Sequence, residues 1–231
     1  TIRGAGRITV FNRQTQAAGS CCILNRANWL RFSNLTFTNA HTGLIIDSLT
    51  CRQAEIVETR FLNHSGAAIT VQSQNAYTLE GSYTVARNLM AGVKNGLTLV
   101  KPAGAMANDT VVFRNNTVVV SEGAAISVNG TPFSVQSHSN ILAPENGGAC
   151  YEGVNNELNC DFNANNLWMA NGGVAARVNA GGSTTVLGTL ADWQKHMWEK
   201  CGAQADPRSF SRDPAFADPA QNDYSLKSFG G

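Results

Sequence analysis

The sequence is poor in charge, in proline and in long apolar runs. Charged residues make up 14% of the 231 positions, against about 25% in an ordinary globular chain. Lysine plus arginine number 17 and aspartate plus glutamate 16, a net charge of +1. That balance gives no electrostatic footprint for nucleic acid or an anionic membrane. No run approaches the ~20 apolar residues needed to cross a bilayer as a helix. No secretory leader is present, but the chain opens on Thr1 rather than methionine, as a processed product would. Its absence therefore does not argue for the cytoplasm.

Metal-binding patterns are missing too. The six cysteines, Cys21, Cys22, Cys51, Cys150, Cys160 and Cys201, form no CxxC pair, and the four histidines are scattered. No zinc site follows. Asp and Asn side chains could hold calcium, yet no dense acidic cluster or motif calls for it, so no cofactor is expected. Cys160 and Cys201 are the candidates for a disulfide that closes the C-terminal region, though spacing alone proves no pairing. Five sequons stand at Asn34, Asn63, Asn108, Asn115 and Asn129, as chance allows in a chain rich in Asn and Thr.

What the chain has is a repeat. The segments NLTF, ETRF, SYTV, NNTV, SNIL and NNLW end at Phe37, Phe61, Val85, Val118, Leu142 and Trp168, with spacings of 24, 24, 33, 24 and 26. A second column, Cys21, Ile45, Ile69, Ile126 and Cys150, runs at 24, 24, 57 and 24. Read as 24 plus 33, the 57 puts the same nine-residue excess between Val85 and Val118, where KPAGAMAND (101–109) is a natural loop. Within each coil, apolar residues alternate with period 2, as strands require. Coils of this length with short strands predict an all-β right-handed parallel β-helix of about six to seven coils over residues 1–170. Glycines 19, 43, 66, 96, 123 and 148 mark turns. Asn34, Asn115, Asn116, Asn140, Asn165 and Asn166 read as a ladder of turn residues stacked along the solenoid.

The pattern stops near Trp168. Residues 171–231 read as a cap: a helix over about 190–200, then an extended tail with three Asp-Pro steps. Thr189 and Asp192 suit the helix start. Leu190, Trp193, Met197 and Cys201 share one face, so the helix can cover the exposed end of the stack. Trp193 and Trp198 are read as packing residues rather than a sugar platform. TIRGAGRITV already looks like coil sequence with no evident N-terminal cap, as expected if the chain is part of a longer protein or if another subunit covers that end.

The coils, the SLT and NNTV turns and above all the tail, TLADWQKHMWEKCGAQADPRSFSRDPAFADPAQNDYSLK, resemble secreted bacterial β-helix proteins of the pectin-lyase-like superfamily. The tail matches their DWQ helix and DP-F-DP…DY-L ending. The resemblance covers nearly the whole chain and implies an exported or cell-surface protein concerned with polysaccharide, often a lyase, hydrolase or epimerase. The family's catalytic signatures do not follow. The paired aspartates with GHG, the WIDH and RxPxxR patterns and the DPH motif are absent, and KSFGG replaces the usual Ser-Pro after DYSL. No catalytic residue carries over.

Coil geometry nominates one charged patch. Counting back from the inward Phe61 places Glu58 and Arg60 outward, with His64 and His41 in adjacent coils near one turn and Arg87 at the equivalent strand end. Glu58, Arg60 and His64 are the candidate catalytic groups, and His41 and Arg87 the candidate substrate contacts. The plainer reading of these five is a solvated wall of ordinary ion pairs. Asp47, Arg114 and Lys101 are weaker candidates. Two functions compete: a secreted enzyme or binder of polysaccharide, and a non-catalytic structural or adhesive module that self-associates end to end through its N-terminal coil.

Overall fold

The computed structural model describes residues 1–231 except 6–8, 27, 49, 74–79, 103–108, 131–132, 155–159, 170, 181, 202–205, 222 and 228–231. It is a parallel β-solenoid of about six turns. One face is a seven-stranded parallel sheet that begins with Ile2–Arg3, Leu30–Ser33 and Gln53–Val57 and ends with Cys160–Asn163. A thirteen-stranded sheet wraps the other faces, because the strands Arg60–Gln72 and Leu89–Val100 run through a corner without a break. No described helix is long and apolar enough to cross a membrane.

Each interior position repeats from coil to coil. Phe11, Phe37, Phe61, Met90, Val118, Leu142 and Leu167 form one column by strand register. The first three stack ring on ring, with centroids 5.0 and 5.2 Å apart. Phe37 and Phe61 are therefore stacked as the repeat predicts. Val85 is not with them. It pairs with Ile56 and Phe113 in the seven-stranded sheet, and Met90 takes the slot above Phe61. The column then advances by 29 and 28 residues, against 26 for its first step and 24 or 25 for the others. The nine-residue excess is thus split over two successive coils, and most of the KPAGAMAND segment expected to hold it lies outside the described residues. At the far end the slot belongs to Leu167, and Trp168 is its outward neighbour.

The second column also shifts. Its members are Cys22, Leu44, Ile69, Leu97, Ile126, Tyr151 and Ala176, so Ile69 and Ile126 hold their places while Cys21, Ile45 and Cys150 stand one residue off. The corners between the two columns differ by a residue or two, and a slip of one residue turns a strand position to the opposite face. Cys150 is still fully buried, whereas Cys21 is half-buried. Stacking continues beyond residue 170: Val174–Ala180 adds in parallel to Ala149–Val154 before Ser183–Leu187 turns back antiparallel.

The helix α1 (Leu190–Cys201) covers this end. Thr189 Oγ1 accepts the Asp192 N–H at 3.1 Å while Asp192 Oδ2 accepts the Thr189 N–H at 3.0 Å, a reciprocal cap. Trp193 is fully buried against Tyr151, with centroids 5.3 Å apart. Trp198 is 61% exposed, so only one of the two tryptophans packs. The side chains of Cys160 and Cys201 lie outside the described residues, and with them the disulfide expectation.

Candidate functional site

One corner of the solenoid is a column of residues in the left-handed region. Asn34, Glu58, Arg87, Asn115, Ser139 and Ala164 have φ between 53° and 57°. The next residue in four successive coils is a buried asparagine: Asn88, Asn116, Asn140 and Asn165. The side-chain oxygen of each accepts the backbone N–H of the coil before, from Thr59 to Asn88 at 2.9 Å through Asn140 to Asn165 at 3.1 Å. Their amide groups donate to the carbonyls of Ile56, Val85, Phe113 and Ser137. The asparagine ladder is therefore structural, and it runs inside the wall.

Outside that corner, three of the five nominated residues meet. The Arg87 guanidinium donates to Glu58 Oε1 from both Nε, at 3.0 Å, and Nη2, at 2.9 Å. With Arg60 and Asn115 they line a cleft of about 460 Å³. Its opposite wall is the C-terminal tail, through Asp223, Tyr224 and Ser225. Phe216 and Tyr224 anchor that tail on Leu62, Ala91 and Val119. Both donors go to Oε1, in an exposed ion pair that suits polar binding.

The two histidines lie elsewhere. His64 is four residues along the strand from Arg60 and 1% exposed. It faces inward because Asn63, with φ at 58°, turns the corner between Phe61 and His64. Its Nδ1 lies 3.2 Å from the Ala40 carbonyl and 3.3 Å from the Ala40 N–H, while Nε2 is buried without a partner. Burial pushes its pKa below the usual histidine value, partly offset by hydrogen bonds to the Ala40 and Phe37 backbone. His41 is exposed and 3.0 Å from Ser65 Oγ. Neither histidine lines the cleft. Among the described residues, no three His, Cys, Asp or Glu side chains gather to hold a metal. Lys101 is not on a groove rim: its ammonium is fully buried, 3.0 Å from Asp109 Oδ2 and 4.7 Å from the Phe133 ring centroid.

A second surface is not nominated by the sequence patterns. On the outer face of the seven-stranded sheet, Gln53, Ser82, Thr110 and Ser134 form one row and Arg31, Glu55, Thr84, Val112 and Gln136 another. Trp29 stands at the edge of this polar face, 79% exposed, with φ at 60°. Two clefts flank it. One, of about 310 Å³, is lined by Arg31, Gln53, Glu55 and Thr84; the other, of about 480 Å³, by Asn28, Arg52, Glu80 and Thr110. A bulky side chain held in the left-handed region is uncommon, and such outliers cluster at ligand clamps. Two signals were available in the sequence. Trp29 precedes the inward Leu30, so alternation puts it outside. Residues 1–46 also carry five arginines and no carboxylate, leaving 12 basic and 16 acidic residues in the remainder.

Compared with known proteins, the chain matches no family model, no curated protein and no solved structure.

Proposed function

We propose that this chain is an exported, pectin-lyase-like β-helix protein that binds an extended acidic polysaccharide along its flank. The observation that carries the reading is Trp29, an indole presented to solvent between two polar clefts. An aromatic face with an apolar body suits the C–H face of a pyranose ring, and the hydroxyls find partners in Gln53, Ser82, Thr84 and Thr110. Arg31, paired with Glu55 at 3.1 Å, and Arg52, which shares its cleft with Glu80, line the same clefts, so the preference for a ligand bearing carboxylates or sulfates rests on the excess of arginine in residues 1–46. The outer rows extend the same chemistry from coil to coil at the strand spacing of about 4.8 Å, so an extended chain can lie across several coils.

Binding is the function assigned, and the Glu58–Arg87 corner is read as a polar wall of the same flank rather than as an acid–base pair. Titration calorimetry with polygalacturonate, alginate and a neutral glucan tests this. An acidic polymer should bind, the neutral one at least tenfold more weakly. Trp29→Ala should cost about 1–3 kcal/mol of binding energy with its melting temperature unchanged. Equal affinity of Trp29→Ala and the parent chain would remove the proposal. Appearance of ultraviolet-absorbing unsaturated products on incubation would replace binding with lyase chemistry.

A further inference from the structure

The left-handed corner column changes its chemistry from coil to coil. Asn34 and Asn115 carry amides, Glu58 a carboxylate and Arg87 a guanidinium, whereas Ser139 and Ala164 are short. Successive members stand about one strand spacing apart, ~4.8 Å. The cleft of about 460 Å³ coincides with the four coils that bear the larger groups. Leu35 and Leu89 give it apolar surface, and Tyr224 and Ser225 of the tail form its far wall. That wall is a separate piece of structure. Phe216–Asp218 and Asp223–Leu226 pair with each other, and the hydrogen bonds of Ala215, Ser225 and Lys227 to Asp213, Asp223 and Ala215 stay within the tail. Phe216 and Tyr224 hold it on the coils. The cleft lies beyond the ends of the seven-stranded sheet's strands, whereas Trp29 stands before their starts.

The chemistry of the cleft selects its occupant. The N–H groups of Glu58, Arg87 and Asn115 already donate to the carbonyls of Ala86, Arg114 and His138 in the next coil. A peptide strand therefore finds no free edge there, and side chains must do the recognising. The two arginines of the cleft, Arg60 and Arg87, are matched by two carboxylates, Glu58 and Asp223, so an anion meets no net positive charge. A neutral polyol fits. Both Arg87 donors go to Glu58 Oε1, so among the described residues Oε2 has no donor and Arg87 Nη1 no acceptor. An acceptor and a donor on adjoining groups match two neighbouring ring hydroxyls, one donating to the carboxylate and the other accepting from the guanidinium. The Asn115 amide adds one more of each, and the two leucines suit the C–H face of a pyranose. We propose that this cleft is a binding site for a short neutral saccharide, one or two rings long, held between the Glu58–Arg87 pair and the tail, so that occupancy fastens the tail to the coils.

The test uses the whole chain and titrates it with maltose, lactose and cellobiose, and with inorganic phosphate and citrate as anionic controls. At least one disaccharide should saturate below about 10 mM, with both anions at least tenfold weaker. Glu58→Gln keeps the shape of the side chain but not its charge, and should weaken that sugar about tenfold. Arg87→Met should do the same, while Ser139→Ala, in the same column but outside the cleft, should bind as the parent does. Circular dichroism checks that each variant is folded. The bound sugar should also slow trypsin cleavage after the exposed Lys227 several-fold, an effect that Glu58→Gln should abolish. No saturation by any of the three sugars up to about 10 mM overturns the proposal. So does tighter binding of phosphate or citrate, unchanged affinity in Glu58→Gln, or unchanged cleavage after Lys227 at saturating sugar. Loss of sugar binding in Trp29→Ala but not in Glu58→Gln would put the sugar at the other edge of the sheet and equally overturn it.

Discussion

Asn116 shows how one side chain can serve three coils. Its oxygen takes the Asn88 N–H, its amide group donates to the Val85 carbonyl, and its own N–H is taken by Asn140. Asn116→Ala deletes the side-chain bonds and leaves a buried donor and acceptor with no partner, each costing about 1–3 kcal/mol. Denaturant unfolding should show a loss of about 2–5 kcal/mol. Asn115→Gly next to it, exposed and left-handed, should stay within about 1 kcal/mol of the parent. His64 is a different residue-scale case. Its pKa is depressed by burial, so the unfolded chain takes up the proton first. Its contribution to stability is complete above the unfolded value of about 6.5 and is lost as pH falls through the folded one. His64→Leu should therefore flatten the drop in melting temperature between about pH 7 and pH 5.

At the scale of elements, the C-terminal seal is organised by Asp206. Its carboxylate accepts from Trp193 Nε1 at 2.8 Å, Ser209 Oγ at 2.6 Å and Asn165 Nδ2 at 3.3 Å, so helix, tail and asparagine ladder end on one buried group. Burial raises its pKa, and these donors only partly offset the effect. The sign is opposite to that of His64. The Asp206 contribution is complete below about pH 3.9 and is lost as pH rises through the folded value. Asp206→Asn removes this opposing slope, so its stability should climb more steeply with pH than the parent's. Asp206→Ala strands three donors, and Trp193 fluorescence should show the cap loosening at lower denaturant than the parent requires. Thr189→Ala should cost about 1 kcal/mol through the lost cap alone.

At the scale of the whole molecule, the repeat is legible because a solenoid buries one row of side chains per coil, and nothing else spaces Phe37 and Phe61 by 24 residues. What defeats the reading is the corners. SYTV and RNLM (87–90) have similar patterns, and only the strand register shows that Met90, not Val85, lies over Phe61. The same corner effect turns His64 inward. Glu58, Arg60 and Arg87 are placed well because they flank that register, and the ion pair between Glu58 and Arg87 follows. Trp29 and the tail wall of the cleft escape, the first because it belongs to no column and the second because a tail's landing place depends on tertiary packing. Several repeated glycines are required by contact rather than by backbone freedom: a Cβ on Gly123 would lie 2.0 Å from the Lys94 carbonyl oxygen.

Lys101 and Asp109 form a buried pair, 3.0 Å between Nζ and Oδ2. Lys101→Met leaves a buried carboxylate without its counter-ion and should cost about 3–5 kcal/mol, while the double variant Lys101→Met with Asp109→Leu should recover most of that loss. Thermal melts of the three proteins decide it.

A knot at the C-terminal end means that the last windings cannot leave one at a time. Stretched between its two termini in an optical trap, the chain should hold at the Asp206 knot and then release these windings together in one large rip, and Asp206→Ala should break that rip into smaller ones.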